Sequence, residues 1–282
     1  MAKKVSLVNM KGGVGKSTLA VNLAWQFTAM TNWSGKKVLV IDLDPQFNAT
    51  QYLVGQAKVK QILDEGRPTV WDIFEQLTRT PDSKGLNPLD PANVISNVRT
   101  FQDESRIDLI TSRLELAYSL MNPGQKEELL AKFVAKIEDQ YDLILLDCAP
   151  TESFLTMAAY LTSDYILVPV KPEYLSSIGL PLLARSMAEF KAHHEDHDLK
   201  LAGIVFNSAT QYVPEEAISK GEVKTIAKDH GWYVFKEEVS YSRSYPKGAR
   251  EGQPIFRTSY SRTDQANKFH SFAKEFADRI GL

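Results

Sequence analysis

Lys11-Gly12-Gly13-Val14-Gly15-Lys16-Ser17-Thr18 follows the β-prone run Val5-Ser6-Leu7-Val8-Asn9. After it, from Ser17 to Met30, apolar residues recur at helical spacing: Leu19, Val21, Leu23, Ala24 and Phe27. Strand, glycine-rich loop and helix in that order are the context of a phosphate-binding loop. The glycines let successive backbone N–H groups turn inward around a phosphate, and the helix N-terminus adds the positive end of its dipole. Lys16 then sets an ammonium on the β and γ oxygens of a nucleotide, and Ser17 offers a hydroxyl to Mg²⁺. One position departs from the G-x-x-x-x-G-K-[ST] pattern. Met10 stands where the first glycine belongs, and a second lysine, Lys11, follows it.

Outward from the loop the chain keeps the same alternation. Val38-Leu39-Val40-Ile41 is a four-residue apolar run of the kind buried on both faces of a parallel sheet. Arg106–Ile110, Leu143–Leu146, Tyr165–Val170 and Leu201–Phe206 read as further strands, with helices from Gly124 to Glu138 and from Leu180 to His193. This predicts an α/β fold, a doubly wound and mostly parallel sheet with helices on both faces in a single domain spanning 1–282. Residues 55–105 break the rhythm. They are polar, with turn signals at Pro81-Asp82, Gly85, Asn87-Pro88 and Asp90-Pro91, and one helix is expected from Thr69 to Leu77. The segment is expected to be an insertion at the sheet edge. Residues 240–262 read as a long basic and aromatic loop, and about 263–281 as a final amphipathic helix.

Composition excludes several classes. A formal net charge of −2 gives no global drive toward nucleic acid, although a local basic face remains open. The single cysteine, Cys148, rules out a disulfide framework and an iron–sulfur or zinc centre held by one chain's thiolates. No stretch approaches the roughly 18 apolar residues of a spanning helix. A reducing cytoplasm is the expected setting.

The loop with Lys11 resembles that of the ParA/MinD family of deviant Walker A P-loop ATPases. Val38 to Thr50, containing Asp42-Leu43-Asp44-Pro45-Gln46, resembles the second motif of the partition branch, and Asp142 to Pro150 its Walker B strand and turn. Val168 to Glu173, then Ser177 and Gly179, and Gly203 to Asn207 complete the set. The resemblance implies a P-loop ATPase whose nucleotide contacts are Lys11, Gly12, Gly13, Val14, Gly15, Lys16, Ser17 and Thr18, with Asn207 at the position that contacts adenine. A turn asparagine is the alternative for Asn207. It implies that Lys11 reaches a partner subunit's nucleotide, so that ATP holds a homodimer. Asp44 would position the attacking water, and Asp42 a magnesium-bound water, although either could instead cap the following turn. Asp147 ends a buried strand, where a carboxylate is costly unless it meets a cation or its water shell.

ATP and Mg²⁺ are therefore the expected cofactors, and hydrolysis is expected to be slow, because no arginine finger stands in the motifs. Between Tyr241 and Arg262 lie Arg243, Lys247, Arg250, Arg257 and Arg262 against Glu251, an excess of four positive charges. Arg243, Lys247, Arg250 and Arg257 are candidates for nonspecific DNA-backbone contact. A lid over the adenine is the competing reading of that loop. The partition branch implies a ParB-like adaptor or activator, nucleoid association in the ATP state and a plasmid, chromosome or other cargo. With four residues before the first strand, direct recognition of an operator is not expected. The alternative is a MinD-like membrane-surface ATPase using the stripe Phe269, Phe272, Phe276 and Ile280, but the mixed charges flanking it favour docking on the sheet. His193, His194 and His197 read as a solvated helix end, with metal binding as the alternative.

Overall fold

Successive residues of a strand point to opposite faces, and here both faces of the central strands are apolar. Val38 and Val40 pack into one core, and Leu39, Ile41 and Leu43 into the other. Leu143 and Leu145 part from Ile144, Leu146 and Cys148 in the same way. The structure, a computed structural model, describes residues 1–30, 35–76, 89–121, 124, 126–174, 177–210 and 214–282.

Its strands are β1 (Lys3–Leu7), β2 (Lys37–Leu43), β3 (Ile95–Thr100), β4 (Arg106–Ile110), β5 (Leu143–Cys148), β6 (Tyr165–Val170), β7 (Lys200–Ala209) and β8 (Val239–Ser240). They form one eight-stranded sheet in the order β3-β4-β2-β5-β1-β6-β7-β8, parallel throughout except for the β3–β4 pair. The helices are α1 (Lys16–Ala29), α2 (Asn48–Asp64), α3 (Val70–Phe74), α4 (Pro91–Val94), α5 (Leu116–Ser119), α6 (Glu127–Val134), α7 (Phe154–Thr162), α8 (Gly179–His193), α9 (Pro214–Asp229), α10 (Ser244–Glu251) and α11 (Thr263–Ile280). Phe27 of α1 shares one face's core with Phe269, Phe272 and Phe276 of α11. Phe74, Phe133, Tyr160 and Phe190, from α3, α6, α7 and α8, fill the other. The molecule is a single-domain, doubly wound α/β sheet. Central β1, between β5 and β6, opens its crevice at the carboxyl ends of the strands, where such folds bind ligands.

Two stretches differ from the sequence reading. The polar segment from 55 carries more regular structure than one helix. α2 crosses into it over a break at Gly55 (φ 74°, ψ 159°), and α3 covers only Val70 to Phe74 of the helix expected from Thr69 to Leu77. Asp90-Pro91 starts a helix rather than a turn, the Asp90 carboxylate accepting the Ala92 N–H at 2.9 Å. β3 then runs antiparallel along the edge. Leu77, Pro81-Asp82, Gly85 and Asn87-Pro88 lie outside the described residues.

The second difference is α10, a helix inside the stretch read as a basic loop. Tertiary packing holds it against α2. A Cβ at Gly248 would meet the Gln253 backbone carbonyl oxygen at 2.5 Å and the Tyr52 hydroxyl oxygen at 2.7 Å, so only glycine allows this approach. Tyr245 and Phe256 turn into the core beneath it, leaving Tyr241 and Tyr260 exposed. The stripe of α11 is buried completely, Phe276 lying 6.1 Å from Phe27 between ring centroids. No apolar face of this helix is left for a membrane surface. Among the described residues no helix is long and apolar enough to cross a membrane.

Candidate nucleotide site

Gly15 caps α1 in the left-handed region (φ 91°), and a Cβ there would stand 2.1 Å from the Asn207 amide nitrogen. Both constraints demand glycine. Asn207, near the carboxyl end of β7, donates to the Val14 carbonyl at 2.7 Å and so ties the loop to the sheet. On the other side, Asn9 donates to the Pro169 carbonyl at 2.8 Å and accepts the Lys11 N–H at 2.8 Å. The loop is thus braced from β6 and β7 before any ligand arrives. Asn9 was not singled out from the sequence. Its position between strand and first loop residue is the signal that marks it.

Lys16 is buried and curls back over the loop, its ammonium 3.0 Å from the Asn9 carbonyl and 3.2 Å from that of Lys11. Burial lowers its pKa, and the Asp147 carboxylate opposes that shift. Lys11 is partly exposed and paired with Glu173 of its own chain at 2.9 Å. The lysine expected to reach a partner subunit is held in cis here. Glu173 belongs to a motif quoted from the sequence, but its role had no signal there.

The three aspartates converge with different partners. Asp42, wholly buried, accepts the Asp44 N–H (3.1 Å), the Thr50 N–H (2.8 Å) and the Thr50 hydroxyl (2.7 Å). Burial raises its pKa to about 7 against the pull of those bonds. Asp44 accepts the Gln46 N–H at 2.9 Å through one oxygen, while among the described residues the other has no hydrogen bond, and the residue lines the cleft. Capping of the turn therefore describes both oxygens of Asp42 and one of Asp44. Asp147, 0% exposed, is different: among the described residues neither carboxylate oxygen has a hydrogen-bond partner. Its pKa stands well above the usual carboxylate range, first because of burial and next because of the Asp42 charge. Ser17 and Lys16 approach closely enough to pull it partly back, without a hydrogen bond to either oxygen.

A cleft of about 790 Å³ opens over these groups. Gly12, Gly13, Gly15, Lys16, Ser17 and Thr18 form its floor, and Gln51, Tyr52, Ala249 and Arg250 one wall. The size suits a nucleotide. Among the groups near its floor, a buried carboxylate with two unbonded oxygens beside a serine hydroxyl fits a hydrated Mg²⁺, which lifts the desolvation cost by supplying positive charge. Tyr52 is a residue the motifs did not reveal. Its hydroxyl takes a bond from Asn22 and gives one to the Gln253 carbonyl, both at 3.2 Å, and burial pushes its pKa up to about 12. Asn22 also accepts the Ile255 N–H at 2.8 Å, so α1 is fastened directly to the segment after α10.

The basic residues divide. Arg243, Lys247, Arg250 and Arg262 line one cleft of about 840 Å³, together with Ser244, Ser259 and Ser261. Within it Lys247 pairs with Glu251 at 3.3 Å and Arg262 with Asp264 at 3.2 Å, while Arg243 and Arg250 have no ion pair among the described residues. Arg250 stands on the wall of both clefts. Arg257 is not among these lining residues and faces Trp25 instead. The histidines serve packing: His194 and His197 lie against Phe190, and the His197 ring meets the Ser163 carbonyl at 2.9 Å. Cys148 is buried, with its thiol pKa pushed up by burial.

A family model described as an AAA domain, AAA_31, matches residues 2–201. The sporulation initiation inhibitor protein Soj of Bacillus subtilis is 29% identical over 98% of this chain and 99% of its own length. Apo McdA from Cyanothece superposes with a TM-score of 0.79 at 18% identity, covering 98% of this chain and 99% of that one. A plasmid partition protein from Borrelia burgdorferi, solved with AMPPNP, gives 0.73 at 20% identity over 99% and 100%.

Proposed function

Since this chain belongs to the AAA domain family AAA_31, in the partition (ParA/Soj) branch of the deviant Walker A P-loop ATPases, we propose that it is a slow, switch-type ATPase that dimerises on ATP. As a dimer it binds DNA nonspecifically in the cytoplasm and positions or segregates a plasmid, chromosome or other cargo. A ParB-like partner stimulates hydrolysis and resets it. The observation that carries this reading is the glycine loop with Lys16 and Ser17 lining one cleft, the unpartnered Asp147 buried close enough to act on Lys16.

In this reading the loop's backbone N–H groups and Lys16 receive the β and γ phosphates. Lys16 leaves the carbonyls of Asn9 and Lys11, which are neutral acceptors, for a charged one. Mg²⁺, when bound, neutralises charge developing on the phosphates. Ser17 and Asp147 would hold its shell, and Asp42 fixes the turn from which Asp44 would present its second oxygen to the attacking water. Lys11 exchanges Glu173 for phosphate oxygens across a dimer interface. That pair is more than a quarter exposed on both sides, so it holds the lysine weakly and a triphosphate competes well. Arg243, Lys247 and Arg250 supply sequence-independent contact to a phosphate backbone.

Retention on random-sequence DNA with ATP and with ADP tests the carrier role, and light scattering in the same two states tests the dimer. Equal, negligible retention in both states removes the DNA-carrier reading. A monomer in saturating ATP removes the dimer.

A further inference from the structure

Phe101 directly follows the edge strand β3 and carries two arginines. The Arg99 guanidinium lies 5.8 Å from its ring centroid and that of Arg257 lies 5.7 Å away. Arg257 also covers the ring of Trp25, on α1, at 5.6 Å. Trp25 and Phe101 meet edge to face at 5.9 Å, giving the two cations a shared aromatic floor. That floor is anchored, because Ser105 donates to the Thr28 carbonyl at 2.9 Å and Phe101 accepts and donates across the same turn.

What the site lacks is an acceptor. Both arginines are exposed, and among the described residues neither guanidinium makes a hydrogen bond or an ion pair. Each has five N–H donors in a planar fork. The nearest carboxylates in sequence do not supply the need: Asp103 accepts from Gly35 and Ser105, and Glu104 reaches no cation. The indole N–H of Trp25 is also buried without a partner. Arg257 holds its proton less tightly than usual, first through burial and then through the Arg99 charge. Two like charges stacked at one place with no counter-ion are repulsive until an anion lies between or beside them.

The rings are already covered by guanidiniums, so an incoming base has no free face here on which to stack. The chemistry left is the fork of Arg against phosphate oxygens. Trp25 is nine residues beyond Lys16, about 14 Å along α1, so this site is apart from the nucleotide cleft. We propose that Arg99 and Arg257 on the Phe101–Trp25 platform form a second phosphodiester-contact point, by which the edge strand as well as α10 grips a nucleic-acid backbone. It rests on the DNA-binding reading above and extends the contact surface to a residue, Arg99, outside the basic segment 241–262.

The test is fluorescence anisotropy with a random-sequence duplex in ATP and Mg²⁺ across a salt series. Arg99→Gln is expected to weaken binding and flatten the slope of log K against log salt by roughly 0.9 per phosphate lost. Arg99→Lys keeps the point charge and is expected to restore the slope. Arg257→Gln is expected to match Arg99→Gln, with its melting curve confirming that the stack on Trp25 still folds. Parent binding together with a parent-like affinity and slope for Arg99→Gln overturns this site alone and leaves the α10 contacts standing. No binding by the parent in either nucleotide state overturns both.

Discussion

Asp147→Asn separates what the nucleotide-free fold wants from what the bound metal wants. The Asp147 side chain is wholly buried with neither oxygen bonded, and its pKa is raised far above the ordinary value. A carboxyl whose folded pKa exceeds its unfolded pKa holds its proton more tightly in the fold. Its stabilising effect is therefore complete below the unfolded value, near pH 4, and is lost as the pH rises through the folded one, at about 1.4 kcal/mol per unit of difference. Asparagine does not ionise. An unsatisfied buried polar group costs about 1–3 kcal/mol, and more when charged. At pH 8 and without nucleotide, Asp147→Asn is thus expected to gain about 1–3 kcal/mol, or about 2–12 °C in melting midpoint, and to gain less at pH 5. Mg·ATP reverses the order. The parent gains about 2.7 kcal/mol at a hundredfold excess over Kd, whereas the variant has lost the carboxylate that holds the metal's shell. Differential scanning fluorimetry at two pH values, with and without Mg·ATP, reads all four states. A variant that melts below the parent at pH 8 without nucleotide refutes the reasoning, as does one that Mg·ATP stabilises fully.

Lys11→Gln is expected to change the melting midpoint by less than about 1 kcal/mol equivalent, since the Glu173 pair is partly exposed, yet to abolish the ATP-dependent dimer in light scattering. Gly15→Ala meets both a left-handed backbone and the Asn207 amide, and is expected to lose about 2 kcal/mol or more together with nucleotide affinity, read by denaturant unfolding and calorimetry. Phe276→Ala is expected to cost about 3–5 kcal/mol by urea unfolding without gaining liposome binding, because the ring belongs to the core. Liposome binding by the parent that a 265–282 deletion removes would count against that placement.

β2, β5 and β6 were legible because they are buried on both faces, so four consecutive apolar residues mark each one, and the bounds read for Arg106–Ile110 and Tyr165–Val170 match residue for residue. β3 was not, since an edge strand needs few apolar residues and Ile95-Ser96-Asn97-Val98-Arg99-Thr100 shows little alternation. α10 was hidden for another reason. Pro246 and Gly248 argue against a helix locally, and the Gly248 contact with α2 overrides that preference. In the site, the glycine loop announces itself by spacing, and Asp42, Asp44 and Asp147 by their strand ends. The partners of Asn9, Tyr52 and Glu173 come from remote segments, and no local pattern encodes them.

The middle place of β1 in the sheet sets an order of events during synthesis. Val5 pairs with Leu145 on one side and Tyr165 on the other, while Phe27 waits for Phe276. The phosphate loop leaves the ribosome well before its frame, which is complete only when Asn207 has followed, about 190 residues and roughly 10–40 s later at ordinary elongation rates. Until β5 and β6 arrive, its flanking strand has two bare edges in the nascent chain. Binding competence therefore arrives late and all at once, and a truncated or stalled chain carries the whole phosphate-loop sequence without its site.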